Sequence, residues 1–243
     1  MSLSDKYFDA LNETIQKAQT SQKETVEKAA RICAESLLDD GYLYTFGTGH
    51  SHLLAEEIFY RAGGLVRVFP IEDDALMLHT GASRSSKIER VAGFATVLLN
   101  DTPAKEGDVL FVFSNSGRNT MPVEIALAAK EKGMKTICIT SLKHAATVTS
   151  RHPSGKKLNE VCDVVLDNCG EPGDGAVNLG ELQMGATSTV IGAMLLQAIV
   201  CRAAEIVTER GAEPEIFQSA NVDGGDVKNA AYLKKYKKEI NIL

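Results

Sequence analysis

The chain has no tryptophan, only six prolines and no C-x-x-C pair. Its five cysteines, Cys33, Cys138, Cys162, Cys169 and Cys201, lie scattered and mostly in apolar runs, as reduced core cysteines do. That pattern points to neither a disulfide framework nor a zinc site. Basic residues gather only at Lys234-Lys235-Tyr236-Lys237-Lys238, which reads as the solvated face of a terminal helix. With a net charge of −6, no general nucleic-acid surface is expected. The start, Met-Ser-Leu-Ser-Asp-Lys, lacks an apolar signal core, and no apolar run is read as long enough to span a membrane. A cytoplasmic protein without a membrane partner is the expectation. No G-K-[ST] triplet occurs, and Gly47-Thr-Gly-His-Ser-His52 has His52 where a dinucleotide fingerprint needs its third glycine. No nucleotide cofactor is therefore expected, nor any other. Nothing suggests disorder, and 243 residues with 44% hydrophobic content can bury a substantial core without being forced into two domains.

What the chain does have is the stretch Val109 to Thr120, reading Val-Leu-Phe-Val-Phe-Ser-Asn-Ser-Gly-Arg-Asn-Thr. A non-alternating apolar, β-branched and aromatic run predicts a strand buried on both faces, which the chain leaves at Ser114. Ser114, Ser116, Asn119 and Thr120 supply side-chain donors, Gly117 allows a tight turn, and Pro122 suits the first turn of the helix that follows. Backbone N–H groups at a helix start carry partial positive charge and lack intrahelical partners. Together with the hydroxyls they can hold a phosphate. An ordinary capped turn would need fewer donors.

Taken in order, the chain alternates helices and strands. Apolar spacing predicts two helices, or one bent one, from Ser4 to about Leu38, then a strand at Tyr42–Phe46 and a helix from Ser51 to Ala62 closed by Gly63-Gly64. A second strand, Leu65–Phe69, is read as stopped by Pro70, and a polar passage from Glu72 to Ser86 leads into a helix over Lys87–Leu99. After the Ser114 loop come a helix to Lys132, strands at Lys135–Thr140 and Val161–Leu166, a Gly- and acid-rich loop over Asp167–Gly185, and an apolar helix over Ser188–Glu209. The segment Thr149–Lys157, with its Ser, Arg, His and Lys residues, is a further candidate for an anion site. Such alternation predicts a parallel sheet covered by helices on both faces, with ligands at the carboxyl ends of its strands.

The pair Gly47-Thr-Gly-His-Ser51 after the first strand and Ser114-Asn-Ser-Gly-Arg-Asn119 after the third resembles the sugar isomerase (SIS) domain family, over roughly Ser21 to Arg210. The resemblance implies a three-layer α-β-α sandwich with a five-stranded parallel sheet, flavodoxin-like, in one SIS domain over 1–243 with a helical segment 1–40 and a C-terminal extension 211–243. It also implies a small-molecule phosphosugar ligand. The family's Ser-x-Ser-Gly phosphate grip carries over to Ser114, Ser116 and, in place of the usual Ser or Thr, Asn119, with Thr120 one position late, and the small hydroxyl residue after the first strand's glycines carries over to Ser51; the phosphosugar-binding residues would be Gly49, Ser51, Ser114, Asn115, Ser116, Gly117, Asn119 and Thr120. The whole chain is most similar to a bacterial SIS-containing family labelled phosphoheptose isomerase, which shares these loops and the tail Ser219-Ala-Asn-Val-Asp-Gly-Gly225.

Sugar-phosphate (aldose–ketose, phosphoheptose-type) isomerisation is the implied activity. The glutamate that phosphoheptose isomerases and muramate-6-phosphate etherases carry inside the first helix falls at Arg61 here. Glu57, His50 and Glu181 remain as candidate catalytic residues, Glu181 by weak similarity to an etherase segment. A non-catalytic phosphosugar sensor, or an etherase-like lyase, stays open beside the isomerase. His50 and His52, two residues apart, do not share a helical face, so no metal site is assigned. The apolar helix Ser188–Glu209 and the tail Pro214–Gly225, in which Asn221 and Asp223 could approach a ligand, predict a homodimer or homotetramer.

Overall fold

The computed structural model describes residues 1–243. Two helices, α1 (Leu3–Ser21) and α2 (Lys23–Leu38), precede β1 (Leu43–Gly47), α3 (His52–Glu57) and β2 (Val68–Ile71). Then come α4 (Ala82–Ile88), α5 (Phe94–Asn100), β3 (Val109–Phe113), α6 (Thr120–Glu131), β4 (Lys135–Thr140), α7 (Leu142–Ala146) and β5 (Val164–Asp167). A hairpin of β6 (Gly175–Leu179) and β7 (Leu182–Ala186), α8 (Ser188–Glu209) and α9 (Gly225–Tyr236) complete the chain. Strands β1 to β5 form one parallel sheet in the order β2-β1-β3-β4-β5.

Alternation along β3 explains the layers. Val109, Phe111 and Phe113 join a core with Ile137, Ile139 and residues of α2 and α8, while Leu110 and Val112 face a second core with Met121, Ile125 and Leu99. Both faces are covered, so the central strand is apolar at every position, as the sequence pattern predicts. The order reverses at β1 and β3, which are adjacent with Gly47 opposite Phe113. That register sets the two Gly-containing loops side by side.

Several expected elements shift for identifiable reasons. The helix expected over Ser51–Ala62 ends at Glu57. Tyr60 takes a positive φ of 41° and packs edge-on against Phe217, 5.1 Å between centroids, while the Gly63 N–H donates to the Phe217 carbonyl. The same tail takes Leu65 and Val66 out of the expected second strand: Leu65 bridges Ile216 and the Val66 N–H donates to the Glu215 carbonyl. Pro70 does not stop β2 but lies within it, opposite Thr45. The strand is at the edge of the sheet, and since the Arg67 carbonyl faces β1 by accepting from Leu43 N–H, the alternate position Pro70 faces outward and loses no ladder bond.

The helix expected over Lys87–Leu99 is broken at Gly93, whose φ is 90°. The Glu124 carboxylate, reaching across from α6, accepts the Gly93 N–H at 2.6 Å and the Thr96 N–H at 2.8 Å and so starts α5 anew. The loop expected over Asp167–Gly185 contains the β6–β7 hairpin, held to α1 by the Tyr7 hydroxyl donating to the Ala186 carbonyl at 2.8 Å.

One expectation on hydropathy is overturned. The helix α8 is long and apolar enough, by length and composition alone, to cross a membrane. Half of its most apolar window is buried inside the molecule, where Ile191, Leu195, Leu196 and Ile199 pack into the core shared with α2. About half of the apolar window that suggested an oligomer is thus used within the chain, Val190 and Ala198 stay exposed, and the tail packs along its own Leu65–Val66 segment.

Candidate functional site

After β1 the backbone turns too tightly for a side chain at Gly47, where a Cβ would lie 2.3 Å from the Ser51 carbonyl oxygen. Gly49 has a φ of 57°. This turn brings His50 and Ser51 to the carboxyl end of the sheet, and turns the His52 ring back on the Gly49 carbonyl. The Thr48 hydroxyl, nearly buried, donates to Glu89 Oε2 at 2.9 Å.

After β3 the loop is held from within. Ser114 Oγ accepts the Gly117 N–H at 3.3 Å, the Asn115 carbonyl accepts from Ser141 N–H at 2.9 Å, and the Gly117 carbonyl accepts from Leu158 N–H at 2.8 Å. Gly117, with a φ of 60°, would place a Cβ 3.3 Å from both Leu158 Cβ and Thr140 Oγ1. The N–H groups of Asn115, Ser116, Arg118, Asn119 and Thr120 make no hydrogen bond within the chain, and neither does the Ser116 hydroxyl. Five unpaired backbone donors at the start of α6 are what an anion requires. The Met121 N–H is engaged by the Glu89 carbonyl at 3.1 Å, the Thr120 hydroxyl donates to the Arg151 carbonyl at 3.2 Å, and Asn119 Oδ1 accepts from Arg151 Nη1 at 2.7 Å.

Between the two loops opens a cavity of about 230 Å³ lined by His50, Ser51, Ser114, Asn115, His144, Asn168, Asp174, Ser188 and Thr189. Asn168 Nδ2 donates to Asn115 Oδ1 at 2.9 Å. Asp174 caps α8: its Oδ1 accepts the Ser188 N–H at 2.9 Å and its Oδ2 the Ser188 hydroxyl at 2.5 Å. His144 has a buried Nδ1 without a partner. Burial above all, and the charge of Arg118, hold its pKa below the ordinary histidine value and so favour the neutral ring, against the opposing pull of Asp174.

Of the candidate catalytic residues, only His50 reaches this cavity. Glu57 lies outside it, paired with Arg61 and accepting from Gln197 Nε2 at 3.0 Å. Glu181 sits at the exposed tip of the β6–β7 hairpin, and Asn221 and Asp223 are exposed in the turn before α9. Sequence reasoning missed His144, Asn168, Asp174, Ser188 and Thr189. The signals available were the position of Asn168 just past a strand end and of Ser188-Thr189 at a helix start, but only the hairpin brings Asp174 to them.

A larger cavity, about 600 Å³, lies apart from these loops, between Phe59, Tyr60, Phe69 and the C-terminal Asn241-Ile242. Its polar lining includes Glu56, Glu72 and Asp101, which would repel a phosphate. Although Glu72 is exposed, desolvation in the wall of this cavity first, then the neighbouring Glu56, push its carboxyl up to about 7 against the charge of His52. Size alone therefore does not mark the functional site.

A parallel α/β sandwich with paired loops at its β1–β3 reversal, one rich in unpaired backbone donors, defines a SIS-type protein. The SIS domain model matches residues 6–141, and the chain belongs to that family. It is 42% identical over 241 residues to a UPF0309 protein of Geobacillus thermodenitrificans, covering 98% of this chain and 97% of that protein. It is 44% identical over 241 residues to a UPF0309 protein of Geobacillus kaustophilus, covering 98% and 96%. In fold it is similar to a phosphoheptose isomerase from Francisella tularensis, with a TM-score of 0.52 at 16% identity over 86% of this chain and 100% of that one. It is also similar to the Vibrio vulnificus NanR protein complexed with ManNAc-6P, with a TM-score of 0.54 at 14% identity over 100% and 70%.

Proposed function

We propose that this chain binds a phosphosugar, its phosphate on the Ser114–Thr120 loop and its sugar in the adjoining cavity, and isomerises it between aldose and ketose. The observation that carries the reading is the row of unpaired N–H groups beside a cavity lined by hydroxyls, amides and two imidazoles. Aldose–ketose exchange moves a proton between adjacent carbons while a donor polarises the carbonyl. His50 and His144 both face the cavity, and a histidine held neutral can take that proton. Ser51, Asn115 and Thr189, which line the cavity, would donate to the sugar's oxygens. Glu57 could act as base only by leaving Arg61 and Gln197. The work would proceed in the cytoplasm, in a homodimer or homotetramer.

The test is incubation with a panel of sugar phosphates in deuterated water, reading deuterium at C2 and product sugar. His144→Asn should lower kcat at least about a hundredfold, in line with the loss of an acid–base group, while a ligand titration stays within a few-fold of wild type. Because the ring's pKa is lowered, the acid limb of kcat/KM should fall below the ordinary histidine value of about 6.5. Absence of exchange with every phosphosugar that binds would sink the isomerase. A second reading, a sensor that grips a phosphosugar without converting it, has its own support: the one carboxylate lining the cavity, Asp174, is engaged in capping α8. The sensor would bind the sugar phosphate and exchange no proton.

A further inference from the structure

Three arginines surround the phosphate loop from three separate segments. Arg90 follows α4, Arg118 lies in the loop itself, and Arg151 lies in the connection between β4 and β5. Backbone bonds tie these segments together. The Arg151 N–H donates to the Arg118 carbonyl at 2.8 Å, and the Met121 N–H donates to the carbonyl of Glu89, the neighbour of Arg90. Arg118 is braced by its Nε donating to the Thr149 carbonyl at 3.0 Å, and Arg151 by its Nη1 on Asn119.

None of the three makes an ion pair, and neither do Arg84 and Arg210, whereas Arg31, Arg61, Arg67 and Arg202 do. Slight desolvation of the exposed Arg151 head, then the charges of Arg118 and Arg90, lower its pKa, with Glu89 opposing. In a chain of net charge −6, carboxylates were available to pair these groups. The guanidiniums of Arg118 and Arg151, braced on the loop, with Arg90 on the segment that adjoins it and no partner carboxylate on any of the three, leave a positive field that an anion would neutralise.

We infer that Arg90, Arg118 and Arg151 read the charge of the ligand's phosphate, selecting doubly charged phosphate monoesters over singly charged groups of the same shape, such as sulfate esters. This rests on the phosphosugar reading. Arg118 and Arg151, held against the loop by the Thr149 carbonyl and Asn119, set two positive charges beside it. A phosphate monoester, whose second pKa is about 6, carries nearly two negative charges above neutral pH. A sulfate ester carries one. Loop N–H groups measure the tetrahedral shape of the anion, which both esters share, so discrimination falls to the arginine forks. Arg118 also depresses the pKa of His144 in the cavity, which puts its charge within reach of both the loop and the sugar.

The experiment is calorimetric titration with glucose 6-phosphate and glucose 6-sulfate, using whichever phosphate and sulfate pair of the panel binds more tightly if another does. Wild type should prefer the phosphate ester at pH 7.5 by about tenfold or more, with the preference shrinking toward pH 5 as the phosphate takes a proton. Arg90→Gln, Arg118→Gln and Arg151→Gln should each weaken the phosphate ester by roughly fivefold or more while moving the sulfate ester less. Arg151→Lys, which keeps the charge, should recover part of the preference. If the double variant Arg90→Gln/Arg151→Gln keeps the wild-type preference while Ser116→Ala still loses phosphate binding, the arginines are bystanders and the loop reading survives. If wild type binds no phosphate ester, the loop reading fails and this inference with it. Melting curves identify any variant that fails to fold, and the remaining single variants then decide the question.

Discussion

Two serines in one loop should respond differently to the same truncation. Ser116 is half-buried, and neither its hydroxyl nor its N–H is used within the chain, so Ser116→Ala removes nothing from the fold. Its stability should change by less than about 0.5 kcal/mol. A hydroxyl donating to a charged phosphate is worth roughly 1.5 to 3 kcal/mol, which is about a ten- to hundredfold loss of affinity. Ser114 is buried, and its Oγ accepts the Gly117 N–H at 3.3 Å. Ser114→Ala leaves that buried donor unpaired at a cost of about 1 to 3 kcal/mol, and the length of the bond favours the lower end. For a chain of this size that is a fall of about 2 to 4 °C in Tm per kcal/mol. Ser114→Ala should therefore lose both Tm and affinity, and Ser116→Ala affinity alone. Calorimetric titration with a sugar phosphate and its dephosphorylated parent, beside melting curves without ligand, separates the effects. Equal phosphate-ester affinity in wild type and Ser116→Ala would refute the loop's role and leave only a capped turn.

Two further outcomes follow from local geometry and charge. Gly117→Ala forces a side chain into a left-handed conformation and to within 3.3 Å of Leu158 and Thr140; the αL cost alone, about 1 to 2 kcal/mol, should lower Tm by several degrees in a thermal melt. The Glu72 carboxyl is raised in the folded state from an ordinary 4.5 to about 7, so the folded protein holds that proton longer than the unfolded chain does. Its contribution is thus a stability lost as pH rises between about 4.5 and 7. Melting curves across that range should show Glu72→Gln with a flatter pH dependence than wild type and a higher Tm at pH 8. Parallel profiles for the two proteins would contradict the desolvation argument.

How much of this was legible before the chain was folded depends on the range of the forces involved. The buried strand Val109–Phe113, the turn at Gly117 and the start of α6 are all written locally, because a two-sided apolar strand and a left-handed glycine need only neighbouring residues to declare themselves. The strand-helix alternation likewise determined the parallel sheet and, with it, the end at which a ligand would sit. Element ends were different. α3 stops at Glu57 because a tail some 150 residues later pairs with Gly63 to Val66, and α5 starts where the Glu124 carboxylate of α6 meets it. The second half of the site was also invisible locally: His144, Asn168, Asp174 and Ser188 come from four segments whose meeting depends on where β4, β5 and the hairpin place them. Glu57 looked free in sequence and is tied to Arg61 and Gln197 in space. The sequence by itself determined the sheet and the loop proposed here to take an anion, since both rest on local backbone conformation and hydropathy. The tertiary structure decided which side chains share a cavity with that loop and which charges stay unpaired, because hydrogen bonds and ion pairs across segments depend on distance in space.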